Sequence, residues 1–129
     1  MADLRINFES IKPIYLQVAE AIEDDIILGR LKDGDPVYSQ LVLARELNIN
    51  PATAAKGINL LVQKGILIKQ RGLSMLVAGG AKERLTDEKL EKEFAGTMRQ
   101  LVEQANKIGL SKKQVLEKLN SAFSETIVN

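Results

Sequence analysis

The chain has 129 residues, of which 45% are apolar and 27% charged, with a formal net charge of +1, the composition of one ordinary soluble domain or of one domain with a helical annex. It contains no cysteine and no histidine, which excludes disulfides, thiol nucleophiles, zinc fingers, His-based metal sites and imidazole bases; neither a metal nor a cofactor is expected. Met1-Ala2-Asp3-Leu4-Arg5 is followed by mixed polar residues rather than an apolar run, and no stretch approaches the roughly 18 apolar residues of a membrane span, so the expected location is cytoplasmic.

The first element is predicted from Pro13 to Leu28, where Tyr15, Val18, Ile22 and Ile26 recur at three- and four-residue steps with Ala19 beside them. Pro13 suits a first helical turn and Gly29 the left-handed residue after the last; the plain reading is an amphipathic core helix. Arg30-Leu31-Lys32-Asp33-Gly34-Asp35-Pro36 reads as a turn, and Val37-Tyr38 as a short extended piece. Ser39 is a candidate N-cap for a short helix that turns Leu43, Ala44 and Leu47 inward and ends near Asn48. Asn50-Pro51 then repeats the start signal after a connection of Asn48-Ile49-Asn50, the spacing of a helix-turn-helix. The second helix is expected from Pro51 to Lys64, stopped by Gly65. Ala54, Ile58, Leu61 and Val62 fall on one side of it, and Ala52, Lys56, Asn59 and Gln63 on the other.

After Gly65 the period changes. Ile66-Leu67-Ile68 and Met75-Leu76-Val77 are short β-prone runs, and a hairpin with its tip at Gln70 to Leu73 fits them. This order of elements is that of a winged helix-turn-helix, assigned to residues 1–78. Ala78-Gly79-Gly80-Ala81 is small and uncharged and reads as a boundary, with residues 79–85 as linker. Residues 86–129 read as two helices. Thr86 is a candidate cap for the first, whose stripe is Leu90, Phe94, Met98, Leu101, Ala105 and Ile108, ended by Gly109. Ser111-Lys112-Lys113-Gln114 is a capping-box pattern with Leu110 and Val115 as hydrophobic staple, and Val115, Leu116, Leu119, Phe123 and Ile127 supply the second helix's buried face. The expected class is thus mainly α with a small β-hairpin wing: a winged helix-turn-helix domain followed by a two-helix C-terminal dimerisation segment.

Charge is unevenly divided along the chain. Residues 20–35 hold Glu20, Glu23, Asp24, Asp25, Asp33 and Asp35 against Arg30 and Lys32, whereas residues 45–77 hold Arg45, Lys56, Lys64, Lys69 and Arg71 against Glu46 alone. The second segment is what an anion-binding face on a neutral protein would look like, and a stretch of solvated surface can look the same.

Pro13-Ile14-Tyr15-Leu16-Gln17-Val18-Ala19-Glu20-Ala21-Ile22, Ile27 to Leu31 with Gly29, Gly34-Asp35, Ser39, Leu43-Ala44, Leu47, Asn50-Pro51, Thr53 and Gly65 to Leu67 resemble the DNA-binding domain of GntR-family bacterial transcription regulators. The Asn-Pro-x-Thr helix start followed by Ala55-Lys56 resembles the small YtrA-type branch, whose members carry two helices after the winged domain. The resemblance implies a homodimeric regulator, a repressor by type, that lays helix 51–64 in the major groove of a palindromic operator and uses the wing 66–78. It implies Tyr38, Ser39, Asn50, Pro51, Ala52, Thr53, Lys56, Arg71 and Gly72 as DNA-contacting residues. The chemistry agrees: the backbone N–H groups at the helix start are expected to be unpaired and, with its positive dipole end, suit a phosphate, and Asn50 and Thr53 can add hydrogen bonds. Lys56 can reach a phosphate or base edge, Ala52 permits close approach, and Arg71 beside Gly72 can reach the minor groove or the phosphates.

The sequence also departs from the family. Leu41 stands where many members have a DNA-contacting arginine, Tyr38 where proline is frequent, and the wing reads Arg71-Gly72-Leu73-Ser74 instead of an arginine-rich run. Ser39 and Asn50 have a capping role whether or not DNA is present, Thr53 and Lys56 can be read as plain helix surface, and Leu41 and Leu60 as packing residues. The C-terminal helices are too small to bury both stripes alone. A dimer interface of Phe94, Met98, Leu101, Val102, Leu116, Leu119 and Phe123 is therefore expected. Neither helix shows a cluster of buried polar groups for a small-molecule effector, for which a groove at the dimer interface is left open. The alternative is a winged-helix protein-interaction module without DNA binding, favoured by Leu41 and the near-neutral charge. An enzyme is not expected, as there is no carboxylate pair in an apolar setting, no Ser-Lys nucleophile pattern and no phosphate-cradling loop.

Overall fold

The computed structural model describes residues 6–72 and 74–125. The elements are α1 (Ile14–Ile27), β1 (Pro36–Val37), α2 (Gln40–Leu47), α3 (Pro51–Gln63), β2 (Leu67–Ile68), β3 (Met75–Val77), α4 (Ala81–Lys89), a π-helical turn (Leu90–Phe94), α5 (Ala95–Lys107) and α6 (Lys112–Glu125). They form two compact units, Met1–Asp87 and Glu88–Asn129. Among the described residues no helix is long and apolar enough to cross a membrane.

The first unit is a winged helix-turn-helix. Val18, Ile22 and Ile26 of α1, Leu43 of α2, Ile58 and Leu61 of α3 and Leu67 and Val77 of the sheet share one core. Each such side chain contributes about 1.5–3 kcal/mol by leaving water. The apolar spacing read along α1, α2 and α3 is the face each one buries. The connection between α2 and α3 is tight because Asn48 takes the left-handed conformation, φ 54, which asparagine tolerates better than most residues. α1 and α3 are in close contact at Gly57, where a Cβ would lie 2.7 Å from the Tyr15 carbonyl oxygen and 3.1 Å from Val18 Cβ.

The wing has three strands rather than two. β3 lies between β1 and β2, antiparallel to both, pairing Pro36 with Leu76, Val37 with Met75, Leu67 with Val77 and Ile68 with Leu76. The extended piece expected at Val37-Tyr38 is thus Pro36–Val37, with the proline on an edge strand, where its missing N–H is tolerated. The Gly34 N–H donates to the Val77 carbonyl (2.8 Å), continuing this contact into the turn.

Residues 79–85 are not a linker. Gly79-Gly80 is a turn, and α4 begins at Ala81, so Thr86 lies inside a helix and does not cap one. The reason is packing: Ala78, Ala81 and Leu85 are buried, so the two alanines are small in order to fit against the winged core, while Gly79 and Gly80 make the turn between them. Arg84 fixes this helix to the end of α3, donating from Nη1 to the Gly65 carbonyl (3.0 Å) and from Nη2 to the Lys64 carbonyl.

The second unit consists of the end of α4, the π-helical turn, α5 and α6. The turn is closed by the Ala95 N–H donating to the Leu90 carbonyl, a widening that regular apolar spacing did not signal. The capping box at the start of α6 is formed as predicted: the Ser111 N–H donates to Gln114 Oε1 (2.9 Å) and the Gln114 N–H to Ser111 Oγ (3.2 Å). Apart from buried Ala105 and partly buried Val115, the described residues of both apolar stripes are uncovered within the single chain. Leu116, Leu119 and Phe123, expected buried, are exposed, as are Leu90, Phe94, Met98, Leu101 and Ile108; among the described residues of this unit Ala105 alone is buried. Ile127, expected on the same face, lies outside the described residues, as does Leu73 of the wing tip.

Candidate nucleic-acid interface

The candidate surface is built on α3. Asn50 caps the helix, its Oδ1 accepting the Ala52 N–H at 2.8 Å, and Pro51 occupies the first helical position, where no N–H is needed. The N–H groups of Thr53 and Ala54 both donate to the Asn50 carbonyl, at 3.0 and 3.1 Å. The expectation of unpaired backbone donors at this helix start is therefore corrected. What remains for an anion is the positive end of the helix dipole, the Asn50 side-chain amide and the Thr53 hydroxyl.

Ala54, Ile58 and Leu61 are buried and Val62 partly so, whereas Ala52, Lys56, Asn59 and Gln63 are exposed, the division expected from the helical wheel; Gly57 joins the buried side. The exposed side is shallowly concave: Tyr15 of α1 borders it together with Ala52, Ala55, Lys56, Asn59 and Gln63. Lys56 Nζ sits 4.0 Å from the centre of the Tyr15 ring, a cation–π contact. The structure thus gathers Ala52 and Lys56 of the predicted residues and adds Tyr15, Asn59 and Gln63. The last two were visible on the wheel as polar surface. The pairing of Tyr15 with Lys56 has no sequence signal, because it depends on how α1 crosses α3.

The other predicted residues are not among those that line the concavity. Ser39 caps α2, its Oγ accepting the Val42 N–H at 3.3 Å, and Tyr38 beside it is exposed. Leu41, read as a packing residue, is instead 65% exposed. Leu60 does pack against the core. Arg71 and Gly72 form the exposed turn between β2 and β3, with Gly72 at φ 71, a conformation that favours glycine.

The charge division also gains a structural account. Lys64 pairs with Glu23 (2.7 Å), so it belongs to the packing of α1 on α3 and is not part of the basic surface. Asp25 holds Arg30 at 3.4 Å, Glu20 holds Lys12 at 2.9 Å, Asp35 Oδ2 accepts the Lys32 N–H and Asp33 Oδ2 the Gly80 N–H. The acidic segment is therefore largely committed to fixing turns and helix ends. Arg45, Lys56, Lys69 and Arg71 remain as exposed cations on the stretch from α2 through the wing.

Residues 14–77 match the bacterial regulatory proteins of the gntR family. The chain is 30% identical over 119 residues to YhcF of Bacillus subtilis (strain 168), an HTH-type transcriptional regulator, covering 92% of this chain and 96% of that protein. It is 29% identical over 122 residues to the HTH-type transcriptional repressor YtrA of the same organism, covering 95% and 90%. Among solved structures, the AraR DNA-binding domain in complex with operator ORX1 superimposes with a TM-score of 0.55 and 25% identity, over 60% of this chain and 100% of that one.

Proposed function

The chain belongs to the GntR family of bacterial regulatory proteins and is YtrA-like, and from that premise we propose that it binds a palindromic DNA operator as a homodimer and represses transcription there, in the bacterial cytoplasm. The observation that carries this reading is the exposed side of α3, where Ala52, Lys56, Asn59 and Gln63 face outward from the second helix of a helix-turn-helix. Asparagine and glutamine match the adenine edge, lysine a guanine edge or a phosphate, and alanine leaves room for the major-groove floor. Asn50, Pro51 and Thr53 form that helix start, Tyr38 and Ser39 stand at the start of α2, and Arg71 with Gly72 extends the contact from the wing. The AraR domain, which is bound to an operator, and YtrA, named a repressor, support the same assignment.

Dimerisation rests on the second unit. Phe94, Met98, Leu101, Val102, Leu116, Leu119 and Phe123 are between 40% and 68% exposed in the single chain, a face that a second copy would cover. Two recognition helices then meet half-sites about one helical turn apart, or a multiple of it. Ile108, Leu110, Val115, Leu119 and Ala122 border a groove of about 230 Å³ whose polar lining residues are Gln104 and Lys118; this is where a small-molecule effector would enter.

Footprinting on the DNA upstream of the chain's own gene tests the reading. Two symmetric protected half-sites, together with reduced in vitro transcription from that promoter, are expected. An asymmetric or absent footprint overturns the operator assignment, and increased transcription overturns repression. Exposed Leu41 favours the second reading, a protein-interaction module; it gains if the footprint is absent while the protein is folded and dimeric.

A further inference from the structure

We propose that Tyr15 is a positioning residue for DNA binding: its ring holds the Lys56 ammonium over the exposed side of α3, where the lysine meets an acceptor on the DNA. The inference rests on the DNA-binding reading and goes beyond the recognition helix, because Tyr15 lies on α1. Lys56 Nζ is 4.0 Å from the ring centre, and the two side chains border the same concavity as Ala52, Asn59 and Gln63. The ring is half-buried while Lys56 is exposed. The tyrosine is therefore the fixed member of the pair and the lysine the one it restrains. The anchor is firm, since the Tyr15 backbone is where α1 touches Gly57 of α3.

A free lysine samples many rotamers, and ordering it opposes binding; a lysine already held by a ring has lost much of that freedom before DNA arrives. The contact leaves the ammonium's remaining N–H donors available to an oxygen or ring nitrogen of DNA, because a cation–π contact uses one face of the cation. The ligand chemistry is an acceptor group in DNA, and it has two sources, a phosphate or a guanine edge.

The test is a double-mutant cycle of Tyr15→Leu and Lys56→Met, with Tyr15→Phe as the conservative variant. Binding is read by anisotropy on a labelled duplex from the chain's own upstream region. Tyr15→Leu is expected to weaken binding about two- to fivefold per protomer, the scale of an exposed cation–π contact, and so on the order of tenfold for a dimer. Tyr15→Phe, which keeps the ring, is expected to restore most of it. In the Lys56→Met background Tyr15→Leu is expected to add little. Losses that simply add, or tighter binding by Tyr15→Leu, overturn the proposal, the latter because the ring would then compete with DNA for the lysine. A salt slope that falls by about 0.9 per protomer in Lys56→Met identifies a phosphate; an unchanged slope with relaxed sequence preference identifies a guanine edge. Absence of binding by the unmodified chain overturns the DNA-binding reading and this one with it, whereas binding with additive losses overturns this one alone. The upfield ring-current shift of the Lys56 ε-methylene protons, expected in the free chain and absent in Tyr15→Leu, reports the pair without DNA. Its absence in the unmodified chain also overturns the proposal.

Discussion

Replacing Gly57 by alanine separates two opposing effects at one methyl group. In an unobstructed helix, alanine is about 1 kcal/mol more favourable than glycine. At this site the added Cβ would lie 2.7 Å from the Tyr15 carbonyl oxygen and 3.1 Å from both Val18 Cβ and Val18 Cγ1. A carbon meets a carbonyl oxygen comfortably at about 3.3 Å, so α1 and α3 must separate by roughly half an ångström. Neither obstacle is the free end of a flexible side chain; one is backbone and the other the stem of a β-branched residue. Overpacking of this kind costs about 1–3 kcal/mol, and a backbone obstacle places it near the upper end. The net expectation is a loss of about 2 kcal/mol, or a melting temperature lower by roughly 8–16 °C for a domain of this size. Urea unfolding followed by circular dichroism, at one protein concentration, checks it. An alanine variant as stable as the parent would refute the close crossing of α1 and α3 and the reason given for Gly57.

Arg84→Ala removes two hydrogen bonds to the carbonyls that end α3; because the arginine is exposed, a loss of about 1 kcal/mol is expected in the same assay. Arg71→Glu, at the exposed wing turn, is expected to weaken operator binding at least tenfold with the melting temperature unchanged, since no packing contact is removed; reduced stability with intact binding would contradict the assignment. Leu101→Asp places a charge within the exposed stripe of α5 and is expected to give monomers by light scattering. A variant that remains dimeric would move the interface elsewhere.

Much of the winged unit is legible in the sequence because its signals are local. The caps at Ser39 and Asn50, the capping box at Ser111 and Gln114 and the three-to-four spacing of Val18, Ile22, Ile58 and Leu61 depend on neighbours within a turn or two. What escaped the sequence depends on contacts between distant segments. Ala78 and Ala81 read as linker until α4 is seen packing them inward, and Gly57 reads as a weak helix residue until α1 lies against it. Lys64 counts as part of a basic face until Glu23, forty-one residues away, is found beside it. The candidate site divides the same way: the outward side of α3 follows from periodicity, while the role of Tyr15 needs the helix crossing. The apolar spacing of the second unit is equally local, yet Phe94, Met98, Leu116 and Phe123 stay exposed in the single chain, because periodicity marks an apolar face without naming what covers it.

The central claim is tested most directly by titrating the purified protein against its upstream DNA at several salt concentrations. With about three phosphate contacts per protomer, a dimer is expected to give a log–log slope near −5, from roughly −0.9 per contact, together with preference for a palindromic fragment. A flat slope, or binding indifferent to sequence, would contradict it.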